Sequence, residues 1–144
     1  HIAHEDLKCN LAVSLHSAIQ KTREIIMPFS KKFPIKDLMD SLKYWNRVTK
    51  KKILYEYIIF DGINDNVEHI KALVKICKII PCKVNFIEYN PTGDLRFRRC
   101  KVEKLELYQK YLTNEGILNT YRVSRGRDIN AACGQLINLN KVGY

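Results

Sequence analysis

Short apolar segments alternate with helical patterns along this sequence, and this order constrains the fold more than any other feature. Residues 11–15, 53–60 and 83–89 are rich in the apolar, β-branched and aromatic residues of strands. Pro81 and Pro91 limit the third segment to strand length. Strands that alternate with helices form βαβ units, in which the strands are parallel. The sequence therefore predicts an α/β fold with helices packed outside a parallel sheet.

The predicted helices between these strands have recognisable start signals. Pro34 suits the first turn of a helix whose apolar residues Leu38, Leu42 and Trp45 recur at spacings of four and three. In the second helix Asp65 and Glu68 have the spacing of a capping box. The apolar face expected to follow this box consists of Val67, Ile70, Val74 and Cys77.

The end of the chain adds two further elements and a turn. A helix is predicted over residues 102–114, with Gly116 ending it in the left-handed conformation, and a strand is predicted over 117–123. A basic turn is predicted over residues 124–128, and its Asp128 is expected to cap a short helix that contains Cys133.

Charge and composition restrict the class of protein only weakly. Twenty-five Lys and Arg against fifteen Asp and Glu give a formal net charge of +10, which favours a polyanionic partner but also fits a solvated basic surface. We expect a soluble, cytoplasmic protein without membrane contact, because no apolar stretch approaches the roughly 20 residues of a membrane span. The five scattered cysteines indicate reduced thiols. Because His1 replaces an initiator Met and the first strand has no earlier partner, we expect an N-terminal truncation.

Three polar residues at predicted strand ends are candidates for a binding site. Strand alternation places Ser14 and His16 on one face, and Asn90 ends the third strand just before Pro91. On spacing alone, a loop serine, a satisfied surface histidine and an Asn-Pro turn are the more common interpretations. Glu56 is either an inward polar group or part of the solvent face of an edge strand, and we assign it no role.

Cys133 is the candidate nucleophile. It lies near the start of the last predicted helix and follows Arg122, Arg125 and Arg127, and these cationic surroundings favour a thiolate. The alternative is a small buried residue beside its alanine neighbours, which is the more common fate of an isolated cysteine.

Four segments together resemble the RlmN family of dual-specificity rRNA and tRNA adenine C2-methyltransferases. They are LAVSLHSA at 11–18, YEYIIFDGIND at 55–65, PCKVNFIEYNP at 81–91 and SRGRDINAACGQL at 124–136. The resemblance implies the C-terminal half of a partial (βα)6 radical-SAM barrel, plus a C-terminal strand and short helix. Residues 1–128 would belong to the core domain, and residues 129–144 would form the segment that carries the methyl-bearing cysteine.

The resemblance also implies roles for individual residues. Ser14, Leu15, His16 and Asn90 match positions that contact S-adenosylmethionine, and Cys133 matches the cysteine that becomes S-methylated. The family's CxxxCxxC loop, which holds a [4Fe-4S] cluster, is absent from this sequence, so no metal ligand is predicted here.

The implied reaction has two stages and an RNA substrate. One S-adenosylmethionine methylates Cys133, a second is cleaved reductively to a 5'-deoxyadenosyl radical, and the methyl carbon is then added to adenine C2 of 23S rRNA or tRNA. An electron donor for the cluster and a monomeric full-length enzyme are expected. The alternatives are a related adenine C8 rRNA methyltransferase and a non-catalytic, basic α/β RNA-binding module.

Overall fold

The computed structural model describes residues 11–123, which form a parallel sheet of four strands. The strands are β1 (Leu11–Ser14), β2 (Ile53–Tyr57), β3 (Cys82–Ile87) and β4 (Leu118–Arg122). They lie in the sheet in the same order as in the chain, and each neighbouring pair is parallel. The predicted α/β class is confirmed.

The connections between the strands are helical. They contain α1 (Gln20–Ile26), a 3₁₀ helix (Pro28–Lys32), α2 (Ile35–Thr49), α3 (Val67–Cys77) and α4 (Val102–Asn114). The bounds of α4 agree with the prediction, and Gly116 follows it with a φ of 75°. Helix α1 and the 3₁₀ helix were not predicted.

One face of the sheet is packed against the helices, and we call it the covered face. Ile53, Tyr55 and Tyr57 of β2 and Val84 and Phe86 of β3 are at most 1% exposed. They share one apolar cluster with buried side chains of α2, α3 and α4. Because alternate strand residues point to opposite faces, this aromatic and β-branched half of each strand fixes the side on which the helices lie.

The opposite face, which we call the open face, contains the alternate residues of the same strands. Strand register aligns its members as Ala12 and Ser14 of β1, Leu54 and Glu56 of β2, Lys83, Asn85 and Ile87 of β3, and Leu118, Thr120 and Arg122 of β4. None of these side chains is fully buried, and those of β4 are exposed. No helix within residues 11–123 covers this face.

The start of α3 differs from the prediction by one residue. Asn66, not Asp65, caps the helix, and its Oδ1 accepts a hydrogen bond of 3.0 Å from the backbone N–H of His69. The Asp65 carboxylate instead accepts from the N–H of Gly62 at 2.9 Å, which closes the preceding turn. The predicted apolar face is also shifted, because Val67 is 39% exposed whereas His69 is buried.

Strand β2 ends three residues before its predicted end. The N–H of Ile58 donates to His16 Nδ1 at 3.0 Å, and the N–H of Phe60 donates to Asn64 Oδ1 at 2.6 Å. Because these backbone groups bond to side chains, the segment leaves the sheet. The predicted C-terminal short helix, Cys133 and the boundary at residues 128 and 129 lie outside the described residues.

Candidate cofactor-binding site

The carboxyl edge of the sheet begins at residues 14–16, where β1 ends and the backbone turns sharply. His16 has a φ of 57°, a left-handed conformation that is uncommon for a residue other than glycine. Two contacts hold it there. Its Nδ1 accepts from the N–H of Ile58, and its carbonyl oxygen accepts from Asn64 Nδ2 at 2.6 Å. Such a conformation persists only where the surroundings impose it.

The same contact determines the chemical form of the imidazole ring. Because His16 Nδ1 accepts a hydrogen bond, the proton of the neutral ring resides on Nε2. Burial, with a further contribution from the positive charge of Arg23, lowers the pKa of His16 to about 4. At neutral pH, His16 therefore provides an uncharged N–H donor at this edge.

The side chain of Arg23, in α1, donates hydrogen bonds to the backbone at the end of β1. Its buried guanidinium donates from Nε to the carbonyl oxygen of Leu15 at 3.1 Å and from Nη2 to that of Ser14 at 3.2 Å. Within residues 11–123 its Nη1 is buried and has no hydrogen-bond partner. Sequence reasoning missed Arg23, because a basic residue in a short helix without a side-chain cap provides no spacing signal.

Asn64 connects the ends of β1 and β2. Its fully buried side chain donates to the carbonyl oxygens of His16 and Ile58 and accepts from the N–H of Phe60. Its own carbonyl oxygen accepts a hydrogen bond from the buried Tyr108 hydroxyl. The sequence analysis treated Asn64 only as a turn residue. These three side-chain hydrogen bonds, two donated and one accepted, show that it fixes the shape of this edge.

Ser14 and Leu15 occupy different environments. The Ser14 side chain belongs to the open face, where it is accessible to a ligand. The Leu15 side chain is fully buried in the core, and the Leu15 N–H donates to the carbonyl oxygen of Glu56 at 2.9 Å. Leu15 therefore serves to anchor the segment, and its side chain does not reach the open face.

Asn90 lies three residues beyond β3, at the same edge of the sheet as His16. The ring of Phe60 packs edge-on against His16, with 6.5 Å between centroids, and against Tyr89, with 5.0 Å between centroids. Arg99 supports the segment by donating to the carbonyl oxygen of Tyr89 at 3.1 Å. An aromatic contact thus brings the region of Asn90 towards His16.

The described residues suit an organic cofactor better than a metal. Carboxyl edges of parallel strands are where α/β folds bind ligands, and this edge offers the Ser14 hydroxyl, the neutral His16 donor and the Asn90 amide. These groups fit S-adenosylmethionine. In contrast, residues 11–123 contain no group of three or more His, Cys, Asp or Glu side chains that could hold a metal ion, so they do not fit a [4Fe-4S] cluster. The helices of residues 11–123 do not include one with the length and apolar composition of a membrane span.

Similarity to known proteins extends over nearly the entire chain. No protein-family model matches it. The chain is 56% identical over 137 residues to a probable dual-specificity RNA methyltransferase RlmN of Flavobacterium johnsoniae, covering 95% of this chain and 39% of the relative. It is 53% identical to the protein of the same name from Flavobacterium psychrophilum, covering 95% of this chain and 40% of the relative. The chain thus spans about two fifths of the length of these curated relatives.

Solved structures share the fold. A radical SAM methyltransferase from Sphaerobacter thermophilus superimposes with a TM-score of 0.84 at 35% identity, covering 93% of this chain and 39% of that one. A domain of the pyruvate-formate lyase-activating enzyme from Bacteroides vulgatus has a TM-score of 0.63 at 15% identity, with 79% of this chain and 68% of that one covered, which shows a common fold only. Together, the sequence identity and the closely matching methyltransferase structure show that this chain belongs to the RlmN family of radical SAM methyltransferases.

Proposed function

We propose that this chain is part of a radical S-adenosylmethionine RNA methyltransferase that methylates C2 of adenine in 23S rRNA and tRNA. The observation that carries the proposal is the geometry of residues 14–16. The segment that the family resemblance assigns to the cofactor lies at the carboxyl edge of a parallel sheet, where Arg23 and Asn64 donate hydrogen bonds to its backbone carbonyl groups. The names of the relatives support the RNA substrate and the dual specificity.

Ser14, His16 and Asn90 would hold S-adenosylmethionine, each through a different polar group. The Ser14 hydroxyl donates and accepts, His16 donates from Nε2, and the Asn90 amide reads a polar edge of the ligand. Leu15 contributes by positioning the backbone between Ser14 and His16. When bound, the cofactor supplies the methyl group and, with a reduced [4Fe-4S] cluster, the radical chemistry. We assign no cluster ligand within residues 11–123 and propose that the ligands and the site of the electron donor lie in the part of the relatives that this chain does not span.

Cys133, which lies outside the described residues, is proposed as the methyl acceptor. The C2 carbon of adenine is a poor nucleophile, whereas a thiolate is a competent one. A thiolate can therefore accept the methyl group first, whereas direct polar transfer of the methyl group to C2 is unfavourable. Arg122, which precedes this segment in the sequence, is exposed at the end of β4.

The proposal is tested by analysing nucleosides of 23S rRNA and tRNA from cells whose only copy of the full-length enzyme carries Cys133→Ala. Wild-type enzyme should produce 2-methyladenosine in both RNAs, and Cys133→Ala should produce none. Cys82→Ala is the matched control, because Cys82 lies at the amino end of β3, at the opposite edge of the sheet. This variant should retain methylation.

Each alternative predicts a different product. Mass spectrometry that detects 8-methyladenosine instead would replace the C2 assignment with the C8 alternative. RNA binding without any methylated nucleoside, independent of S-adenosylmethionine, would favour the non-catalytic binding module. A Cys133→Ala enzyme that methylates at the wild-type rate would show that another group accepts the methyl.

A further inference from the structure

Two free cysteines lie next to each other at the amino edge of the sheet, opposite the edge that carries the candidate cofactor-binding site. Cys77 is the last residue of α3, and Cys82 is the first residue of β3. The Sγ atom of Cys82 donates to the carbonyl oxygen of Cys77 at 3.5 Å. The two thiol groups are also within hydrogen-bonding reach of each other. The pair is therefore a dithiol in direct contact.

The backbone between the two cysteines keeps them together. At one end of residues 78–81, the N–H of Lys78 donates to the carbonyl oxygen of Val74 at 3.1 Å. At the other end, the carbonyl oxygen of Pro81 accepts from the N–H of Ile53 at 3.1 Å. Because this short connection is bonded to α3 and to β2, the approach of the two thiols is a property of the fold.

A surface pocket of about 200 Å³ gives access to the pair. Its wall includes Lys52, Cys77, Pro81, Cys82 and Gly116. Cys77 is buried, whereas Cys82 is half-buried, so Cys82 is the thiol that an entering molecule meets first. A water molecule occupies about 30 Å³ of liquid, so the pocket admits a molecule slightly larger than water, such as hydrogen peroxide.

The surroundings of Cys82 favour its thiolate form. The hydrogen bond from Cys77 lowers the pKa of Cys82, burial opposes this effect, and the positive charge of Lys52 lowers the pKa further. The same hydrogen bond, together with burial, raises the pKa of Cys77. The pair thus consists of a reactive sulfur that faces the pocket and a neighbouring thiol that keeps its proton.

We propose that Cys77 and Cys82 form a peroxide-reactive dithiol that is oxidised to an intramolecular disulfide. The oxidant is a small hydroperoxide, whose O–O bond accepts two electrons from the sulfurs. The Cys82 thiolate attacks one peroxide oxygen and becomes a sulfenic acid, and the other oxygen leaves as hydroxide, which takes up the proton that Cys82 lost. Cys77 then attacks the sulfur of Cys82, the S–S bond forms, and the sulfenic hydroxyl leaves as water with the Cys77 proton. This inference is independent of the proposed methyl transfer.

The test maps disulfides in the anaerobically purified full-length protein after treatment with an equimolar amount of hydrogen peroxide. A chelator is present to bind any released iron. The protein is then denatured, its free thiols are alkylated with N-ethylmaleimide, and it is digested with trypsin without reductant. Trypsin cleaves after Lys78, so the two cysteines fall in separate peptides, residues 76–78 and 79–83. We expect these two peptides to be joined by a disulfide.

Cys100 provides the matched control within the same protein. It is half-buried like Cys82, but burial raises its pKa, so it should remain alkylated by the maleimide. In Cys77→Ser, the oxidation of Cys82 should stop at the sulfenic acid, which dimedone traps. In Cys82→Ser, Cys77 should stay reduced, because it is buried and keeps its proton.

A pair of lysine variants tests the contribution of the pocket. Lys52→Gln removes the positive charge beside Cys82 and should slow formation of the disulfide at neutral pH roughly twofold to fivefold. Lys50 is exposed in the same segment, and Lys50→Gln should leave the rate unchanged. Equal rates in wild type and Lys52→Gln would contradict the assignment of Cys82 as the attacking thiolate.

Three results would overturn the inference itself. They are recovery of both peptides in the alkylated form after peroxide treatment, a disulfide from either cysteine to a different one, and oxidation of Cys100 as fast as that of Cys82. The measurement on the wild type requires no substitution, so it decides the question even where a variant does not fold.

Discussion

The two faces of the sheet are built from the same strands but differ in composition and in what covers them. On the covered face, β2 presents Ile53, Tyr55 and Tyr57, all fully buried. On the open face, it presents Leu54 and Glu56, both only partly buried. Glu56 lies in the strand between two buried tyrosines, Tyr55 and Tyr57, yet its own side chain is on the opposite face and only partly buried. The difference teaches that alternation within one strand separates the residues that build the core from those that stay accessible to solvent.

The largest effect should come from removing an aromatic side chain of the covered face. Phe86→Ala should destabilise the full-length protein by about 3–5 kcal/mol, because it opens a cavity among the rings of Tyr57 and Tyr108. The preceding residue in the strand, Asn85, lies on the open face, and Asn85→Ala should cost no more than about 1 kcal/mol. Urea denaturation measures both. Equal losses in the two variants would break the distinction between the faces.

The second prediction concerns His16, which follows β1 at the carboxyl edge of the sheet, and the pH dependence of stability that it causes. The pKa of His16 is about 4 in the folded protein, against an ordinary value of 6.5. Between these two pH values the unfolded chain binds a proton at His16 that the folded protein does not bind. The free energy of unfolding therefore keeps its full value above pH 6.5 and decreases as the pH falls towards 4, by at most about 3 kcal/mol.

Replacing the histidine should remove this pH dependence. His16→Asn, which tolerates the left-handed backbone, should flatten the decline in the free energy of unfolding between pH 6.5 and 4. Urea denaturation at several pH values provides the measurement. Wild type and variant that decline in parallel would show that His16 is accessible to protons in the folded protein.

A smaller effect is expected from the buried hydroxyl groups behind the site. Tyr108 and Tyr57 share a hydrogen bond of 3.0 Å between their hydroxyl groups, and the Tyr108 hydroxyl also donates to the carbonyl oxygen of Asn64. Tyr108→Phe leaves that carbonyl without this donor, so it should cost about 1–3 kcal/mol while keeping the ring packing. Thermal unfolding detects this loss. A variant as stable as wild type would show that packing alone supports the Asn64 turn.

The smallest effect should come from the hydrogen bond between Thr120 and Asn85 on the open face. Thr120 is exposed, and Thr120→Val removes its hydroxyl with little change in shape. We expect a loss of less than about 1 kcal/mol, since water replaces the missing partner. Thermal unfolding alongside Tyr108→Phe provides the comparison. A loss as large as that of Tyr108→Phe would show that side-chain hydrogen bonds on the open face also support the fold.

The sequence predicted the strands, α2 and α4 because their apolar periodicity is local and strong. It failed where tertiary contacts override local signals. The end of β2 depends on His16, which bonds to Ile58 from a distant loop, and on Asn64, which bonds to Phe60 within the loop that follows the strand. The contact with His16 has no local sequence signal. The predicted cap of α3 was wrong by one residue because Asp65 and Asn66 are both residues that commonly cap helices. The Asp65 carboxylate accepts a hydrogen bond from the N–H of Gly62, so Asn66 caps the helix instead.

The candidate site was only partly predictable for a related reason. The family motifs identified Ser14, His16 and Asn90, and the structure places all three at one edge of the sheet. Arg23 and Asn64, which hold that edge, were missed because their roles depend on buried hydrogen bonds to backbone atoms distant in the sequence. The same motif included Leu15, whose side chain is in the core. The roles of these residues and of Cys133 in binding and catalysis stay predictions.

The order of the strands has a consequence for how this part of the protein is made. Within residues 11–123, strands that pair in the sheet are also consecutive in the chain, so none of these three pairings has to wait for a distant segment. As synthesis proceeds, each new helix and strand can dock onto a sheet edge that is already available, in the order in which it leaves the ribosome. The sheet from β1 to β4 can therefore form in the order of synthesis.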